Sequence, residues 1–201
     1  MLEAPDARQP EPGDGPAATV RIVEDPHTLD TAALTNYSVV LLHFQNWQVP
    51  GPGVASRENL QRYVKNGGGL MSVHFACGAW YDEWPEFAKL VGRVWGGPQM
   101  RGHDPRGPFT VQIVDREHPI TRGLKDWRMV DETYEMAGAG QDSHVLLTTD
   151  HPKSMPTIAW TRSYKRSRVF CYQSGHDNIA FSDPNFRRFL SRGVQWAGGV
   201  I

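Results

Sequence analysis

Apolar residues fall in short runs divided by Gly-, Pro- and acid-rich stretches, and their spacing switches between a period of two and a period near 3.6. Thr19 to Val23 predicts a short strand. Tyr37 to His43 is a continuous apolar run, the pattern of a strand buried on both faces. A loop with two prolines, Phe44 to Val54, leads to a predicted helix over Ala55 to Asn66. Leu60, Tyr63 and Val64 line one face of that helix, Ser56 is the expected N-cap, and Gly67 the stop. Gly67-Gly68-Gly69 opens directly into Leu70 to His74, a second buried strand. Pro85 to Val91 predicts a short helix. Phe109 to Val114, His144 to Thr149, Thr157 to Trp160 and Arg168 to Tyr172 predict further strands. The last helix is the clearest: Asp183 caps it, Pro184 takes its first position, and Phe186, Phe189, Leu190, Val194 and Ala197 form one apolar face. Strands alternating with helices predict an α/β protein with a mainly parallel sheet covered on both sides. The run of strands in the middle predicts an antiparallel or β-rich extension. Residues 1–16, rich in Pro, Gly and acids, read as a disordered arm ahead of one domain spanning 17–201.

Composition narrows the partners. The chain has 201 residues, enough for one domain with a sizeable core. Its 21 basic and 22 acidic residues leave a formal charge of -1 with no basic stripe, which argues against nucleic acid. No apolar run approaches the ~18 residues a membrane span needs. The N-terminus lacks the basic-then-apolar order of a secretory signal. Two cysteines, Cys77 and Cys171, do not make a disulfide scaffold, so a reducing, cytoplasmic setting is expected. Seven Trp and eight His stand out.

Ligands of an open parallel sheet bind beyond the carboxyl ends of its strands. That rule selects His43 to Trp47, then His74 to Ala76, then Gly175-His176-Asp177. The segment Ser72-Val73-His74-Phe75-Ala76 is shaped like a nucleophile elbow with histidine at its tip, and imidazole serves more often as a base or ligand than as a lasting nucleophile. Cys77 falls three residues late and reads as a small buried residue. His74 is therefore the first candidate, as base, acid or metal ligand. Beside it stand His176, with Asp177 orienting its ring, and Glu132 with Asp131 and Tyr134. The bland alternatives are a turn for Gly175-His176-Asp177 and a solvated loop pair for Asp131-Glu132. His103 is placed in a polar loop that folds over the pocket. Trp47, Trp80 and Trp160 are candidate sugar-stacking faces, and Gln45 and Asn46 carry amides suited to hydroxyl groups.

Five motifs in order, Gly67-Gly68-Gly69-Leu70 through His74, His118-Pro119-Ile120-Thr121, Asp131-Glu132-Thr133-Tyr134, Gly175-His176-Asp177 and Asp183-Pro184-Asn185-Phe186-Arg187-Arg188, resemble the trehalose-utilisation, or ThuA-like, family over about residues 19–199. The resemblance implies a flavodoxin-like three-layer sandwich of the class I glutamine amidotransferase kind. It implies His74 where related folds carry a cysteine, and a link to the catabolism of oxidised (keto) disaccharides. It also implies a strand, a Gly- and His-containing loop and a helix ahead of Thr19. Met1 to Pro16 has no such pattern, so the first strand is expected to be missing and an open sheet edge available to a partner copy.

The expectation is a sugar-metabolism enzyme acting on a small sugar or keto-glycoside by acid–base chemistry. His74, Glu132 and His176 would be catalytic, and Gln45, Asn46, Trp47, His103, Tyr134 and Asp177 would bind substrate. Histidines with Glu132 would suit a divalent metal such as zinc, although no local motif specifies one. The alternatives are a non-catalytic sugar-binding or regulatory module and a cysteine-dependent amidotransferase-like hydrolase.

Overall fold

The structure, a computed structural model, describes residues 18–45, 50–80, 83–92, 102–135 and 140–201. Seven strands form one sheet: β1 (Val39–Leu42), β2 (Gly69–Val73), β3 (Gly102–Ile113), β4 (Trp127–Glu135), β5 (His144–Thr148), β6 (Thr157–Tyr164) and β7 (Ser167–Tyr172). Four helices accompany them: α1 (Val54–Lys65), α2 (Pro85–Val91), α3 (Asn178–Ser182) and α4 (Pro184–Ala197). The strand order is β1-β2-β7-β6-β5-β3-β4. Only β1-β2 and β2-β7 run parallel; the β7-β6, β6-β5, β5-β3 and β3-β4 pairs are antiparallel. The expected mainly parallel sheet is thus corrected to a mixed one, mostly antiparallel. The physical reason lies in the connections: β5, β6 and β7 follow one another through short turns, which can only reverse the chain.

Two apolar layers sandwich the sheet. One gathers Leu60, Tyr63 and Val64 of α1 and Phe87, Leu90 and Val91 of α2 against Leu70, Val169 and Cys171. The other gathers Phe186 and Phe189 of α4 against Met71, Val73, Phe170 and Tyr172. Alternation along β2 and β7 sends successive side chains to opposite layers. Both strands therefore read as continuous apolar runs, and β2 is buried throughout. α4 starts where expected: the Asp183 carboxylate accepts from the Asn185 and Phe186 N–H groups, with Pro184 at the first turn. α1 departs slightly. Gly53 is its cap, while Ser56 lies inside the first turn and donates its hydroxyl to Asp30.

Three strand expectations change. Thr19 to Val23 forms no strand and is exposed, with Val20 and Ile22 facing solvent. β3 begins seven residues earlier than Phe109, through Pro105 and Pro108. Its register shifts between Asp104 and Gly107, which accommodates a residue that cannot donate to the ladder. β4 carries Asp131 and Glu132, both buried, so the alternative of a solvated loop pair is overturned. The expected arm, residues 1–16, and with it the question of a missing first strand, lies outside the described residues. Among those residues, no helix is long and apolar enough to cross a membrane.

Candidate functional site

The chain leaves β2 through His74 at φ 55, a left-handed conformation that is uncommon outside glycine. A short 3-10 turn over His74–Gly78 follows. Reversing direction in that one residue turns the imidazole back over the sheet end, where it is buried at 6% exposure. His74 Nδ1 lies 3.2 Å from the Gln173 carbonyl just past β7. A carbonyl oxygen only accepts, so Nδ1 is the N–H and Nε2 keeps its lone pair. Burial pushes the imidazole pKa down to about 3, and the neighbouring His43, His176 and His103 add to the effect. His74 is therefore neutral at physiological pH.

β4 delivers the carboxylate. Glu132 and Tyr134 sit at i and i+2, on one face of the strand. The Tyr134 hydroxyl donates to Glu132 Oε2 at 2.6 Å and lies 3.2 Å from His74 Nε2. Burial and the adjacent Glu132 carboxylate raise the Tyr134 pKa far above its ordinary value, so it remains a proton donor. Glu132 is itself buried at 8% exposure.

His176 comes from the turn after β7, and Asp131 sets that turn. Its carboxylate accepts from the Gly175 N–H at 2.6 Å, the His176 N–H at 3.2 Å and the Glu132 N–H at 2.8 Å. Burial nevertheless raises the Asp131 pKa. His43, just past β1, donates through Nε2 to the Gly175 carbonyl at 2.9 Å and stacks on His74 at 5.9 Å. Gly175 holds φ 126. So fixed, His176 Nδ1 lies 3.2 Å from Glu132 Oε2 and 3.3 Å from His74 Nε2. One nitrogen of each histidine and one Glu132 oxygen all fall within 4.8 Å of one another, close enough to hold a metal ion.

The residues expected from sequence sort as follows. His74, Glu132, His176 and Tyr134 converge. His103 joins their rim from β3 and not from a loop: it is register partner to Tyr134, with Nδ1 3.8 Å from Glu132 Oε1 and its ring exposed beside Phe75. Asp177 does not orient His176. Its carboxylate instead accepts from the Ile179 N–H, capping α3, and pairs with Arg106. Gln45 is half-buried in the loop two residues past His43. Asn46 and Trp47 lie outside the described residues. Trp80 and Trp160 are not sugar platforms. Both are fully buried, their indole N–H groups donating to the Pro52 and Val91 carbonyls. Cys77 is buried beneath the turn, its Sγ 3.5 Å from the Ser72 hydroxyl. Sequence reasoning named Asp131 without a role and left His43 among strand-end residues. Their signal was position alone, next to Glu132 and at a strand's carboxyl end.

Comparison with solved structures places this arrangement among known folds. A putative ThuA-like protein from Parabacteroides merdae superposes with a TM-score of 0.71 at 25% identity, covering 83% of this chain and 72% of that one. A second, from Bacteroides uniformis, gives 0.71 at 23% identity, covering 87% and 75%. A cytoplasmic protein from Salmonella typhimurium gives 0.64 at 19% identity, covering 86% and 78%, and likewise shows the fold. Comparison with curated proteins returns no match. The family model described as trehalose utilisation matches residues 13–197, so the chain belongs to the ThuA family.

Proposed function

We propose that this protein is an enzyme of sugar metabolism that moves protons on a small sugar or keto-glycoside. The observation that carries the reading is the contact of Glu132 Oε2 with both the Tyr134 hydroxyl and His176, beside a neutral His74. A carbonyl on a sugar ring acidifies the neighbouring C–H. Removing that proton leads to isomerisation or to elimination of the glycosidic oxygen, and both need a base and an acid held on opposite sides of few atoms. Glu132 or His176 is the base in this scheme. Tyr134, which keeps its proton, donates to the developing oxyanion or leaving oxygen. His74 lends no charge and steers the others by hydrogen bonding. Exposed His103 and His176 leave a face open to substrate. The family's link to trehalose utilisation favours sugars over other carbonyl compounds. The parallel strands β1, β2 and β7 with their helices support a flavodoxin-like, amidotransferase-type core beneath the site, with His74 where a nucleophile would stand.

The test is turnover of keto-disaccharides by purified chain. His74→Ala should lower kcat by about 10²-fold or more while circular dichroism and thermal unfolding remain cooperative. Undiminished turnover in that variant sinks the assignment. Calorimetric binding of the sugar with no product at any pH favours instead the binding-module reading.

A further inference from the structure

The contacts around His74 bring two imidazole nitrogens and a carboxylate oxygen to one spot. His74 Nε2 carries no proton, because Nδ1 holds the proton for Gln173. Glu132 offers a carboxylate oxygen to the same spot, and His176 turns Nδ1 toward both. The Tyr134 hydroxyl supplies one proton, which goes to Glu132. A proton on His176 Nδ1 can bridge the other two atoms, and a cation in its place would engage all three at once.

The distances agree with one. Glu132 Oε2 to His176 Nδ1 is 3.2 Å, His176 Nδ1 to His74 Nε2 is 3.3 Å, and His74 Nε2 to Glu132 Oε2 is 3.9 Å. A point equidistant from the corners of a triangle with those sides lies about 2.0 Å from each, the bond length zinc makes to imidazole nitrogen and carboxylate oxygen. The supports around the donors are of the kind that orient metal ligands. His74 is fixed by a carbonyl on its far nitrogen, Glu132 accepts from Tyr134, and His176 is held at its backbone by Asp131.

From this geometry we propose that His74 Nε2, His176 Nδ1 and Glu132 Oε2 form a binding site for a divalent transition-metal ion, with zinc the best match. Two imidazoles and one carboxylate leave a coordination position open, the pattern of catalytic sites. The open side is the exposed one, past His176 and His103. The ion would there accept an oxygen of the bound sugar and withdraw electron density from it; with Oε2 and Nδ1 on the ion, Glu132 Oε1 and His176 Nε2 keep the lone pairs available for the proton transfers proposed above. The donor set is neutral apart from Glu132, so the site carries a single positive charge when filled and suits an anionic or enolate-like oxygen.

The experiment uses the full chain and zinc alone. Chelator-treated protein is titrated with zinc against a chromophoric chelator. One equivalent should bind at or below micromolar Kd. His74→Ala and His176→Ala should each weaken binding at least about 100-fold, as should Glu132→Gln, which preserves shape. His144→Ala, at the separate His144–Asp115 pair, should leave binding unchanged. Absence of a tight equivalent in the parent protein overturns the proposal. So does retention of binding in all three ligand variants, or its loss in His144→Ala. Because no substrate is involved, this result stands apart from the proton-transfer reading. Metal-free protein that still turns over a keto-glycoside removes the metal and leaves the acid–base assignment, whereas a zinc-binding protein with no sugar turnover does the reverse.

Discussion

Asp131 carries more of the site than its place in the sequence suggests. It holds three backbone N–H groups, two of them in the Gly175-His176 turn. An ionised acceptor shared by three amides is stronger than neutral pairs and leaves all three unsatisfied when removed. Asp131→Asn keeps the shape but presents an NH2 group to at least one of those amides. It is expected to destabilise the protein by about 1–3 kcal/mol and to broaden the His176 ring resonances in NMR. Unchanged stability with sharp His176 signals would show that the turn is set elsewhere. At this scale the sequence was partly legible. Histidine and carboxylate are recognisable as chemistry, and strand ends as places for it, so His74, Glu132 and His176 could be named. The roles of Asp131 and Asp177 were not legible, because both depend on which backbone amides come within reach, and that is a property of the turns.

Among the elements, α4 and β7 show how tightly a helix can be keyed to a strand. Phe186, Phe189 and Gly193 lie along one face at spacings of three and four, and Phe170 of β7 fills the space over Gly193. In an exposed helix, replacing glycine by alanine stabilises by about 1 kcal/mol. Here an added Cβ would sit 2.7 Å from a Phe170 ring carbon, with both residues buried. Gly193→Ala should therefore reverse the usual sign and cost about 1–3 kcal/mol, read as a lower urea midpoint. A gain in stability would mean that Phe170 swings aside freely. The helices and the buried strands were plain in the sequence because caps and apolar periodicity act locally. β4 was hidden for the opposite reason. Trp127 and Met129 begin a period-two pattern, but buried Asp131 and Glu132 interrupt it. Burying two carboxylates makes sense only once the amides and imidazoles that receive them are known. In the same way Pro105 and Pro108 masked the first half of β3.

On the scale of the molecule, one polar cluster joins parts distant from the site. His118 stacks on His144 at 5.6 Å, Asp115 accepts from His144 at 2.8 Å, and Trp196 of α4 lies against His118 beneath Arg168. His118 Nδ1 accepts from the Ile120 N–H, so it must be unprotonated in the native state. Burial, then His144 and Arg168, lowers its pKa, with Asp115 opposing. The unfolded chain thus takes up this proton first. His118 has no effect on stability above about pH 6.5 and lowers it as the pH falls below that value. His118→Asn, which keeps a polar acceptor, should flatten the decline of melting temperature between about pH 6.5 and the carboxylate range. An unaltered profile would assign the acid sensitivity to other groups.

The order of strands has a consequence for how the site is assembled. Glu132 and Tyr134 come from β4, the last strand at one edge, whereas His74 and His176 follow β2 and β7, five and four places closer to the other edge. They meet because the sheet curls until its margin arches over its own centre. The pocket is therefore a seam, and the intervening strands act as a lever arm that sets its width. A small change of twist in β5 or β6, with no altered residue near the histidines, would shift the carboxylate relative to the imidazoles. Misplacement by as little as 1 Å is enough to cost a reaction about 10²-fold. By the same geometry, anything bridging the seam fastens the margin to the centre, so a bound ligand here acts as a clasp on the whole sheet as well as an occupant of its site.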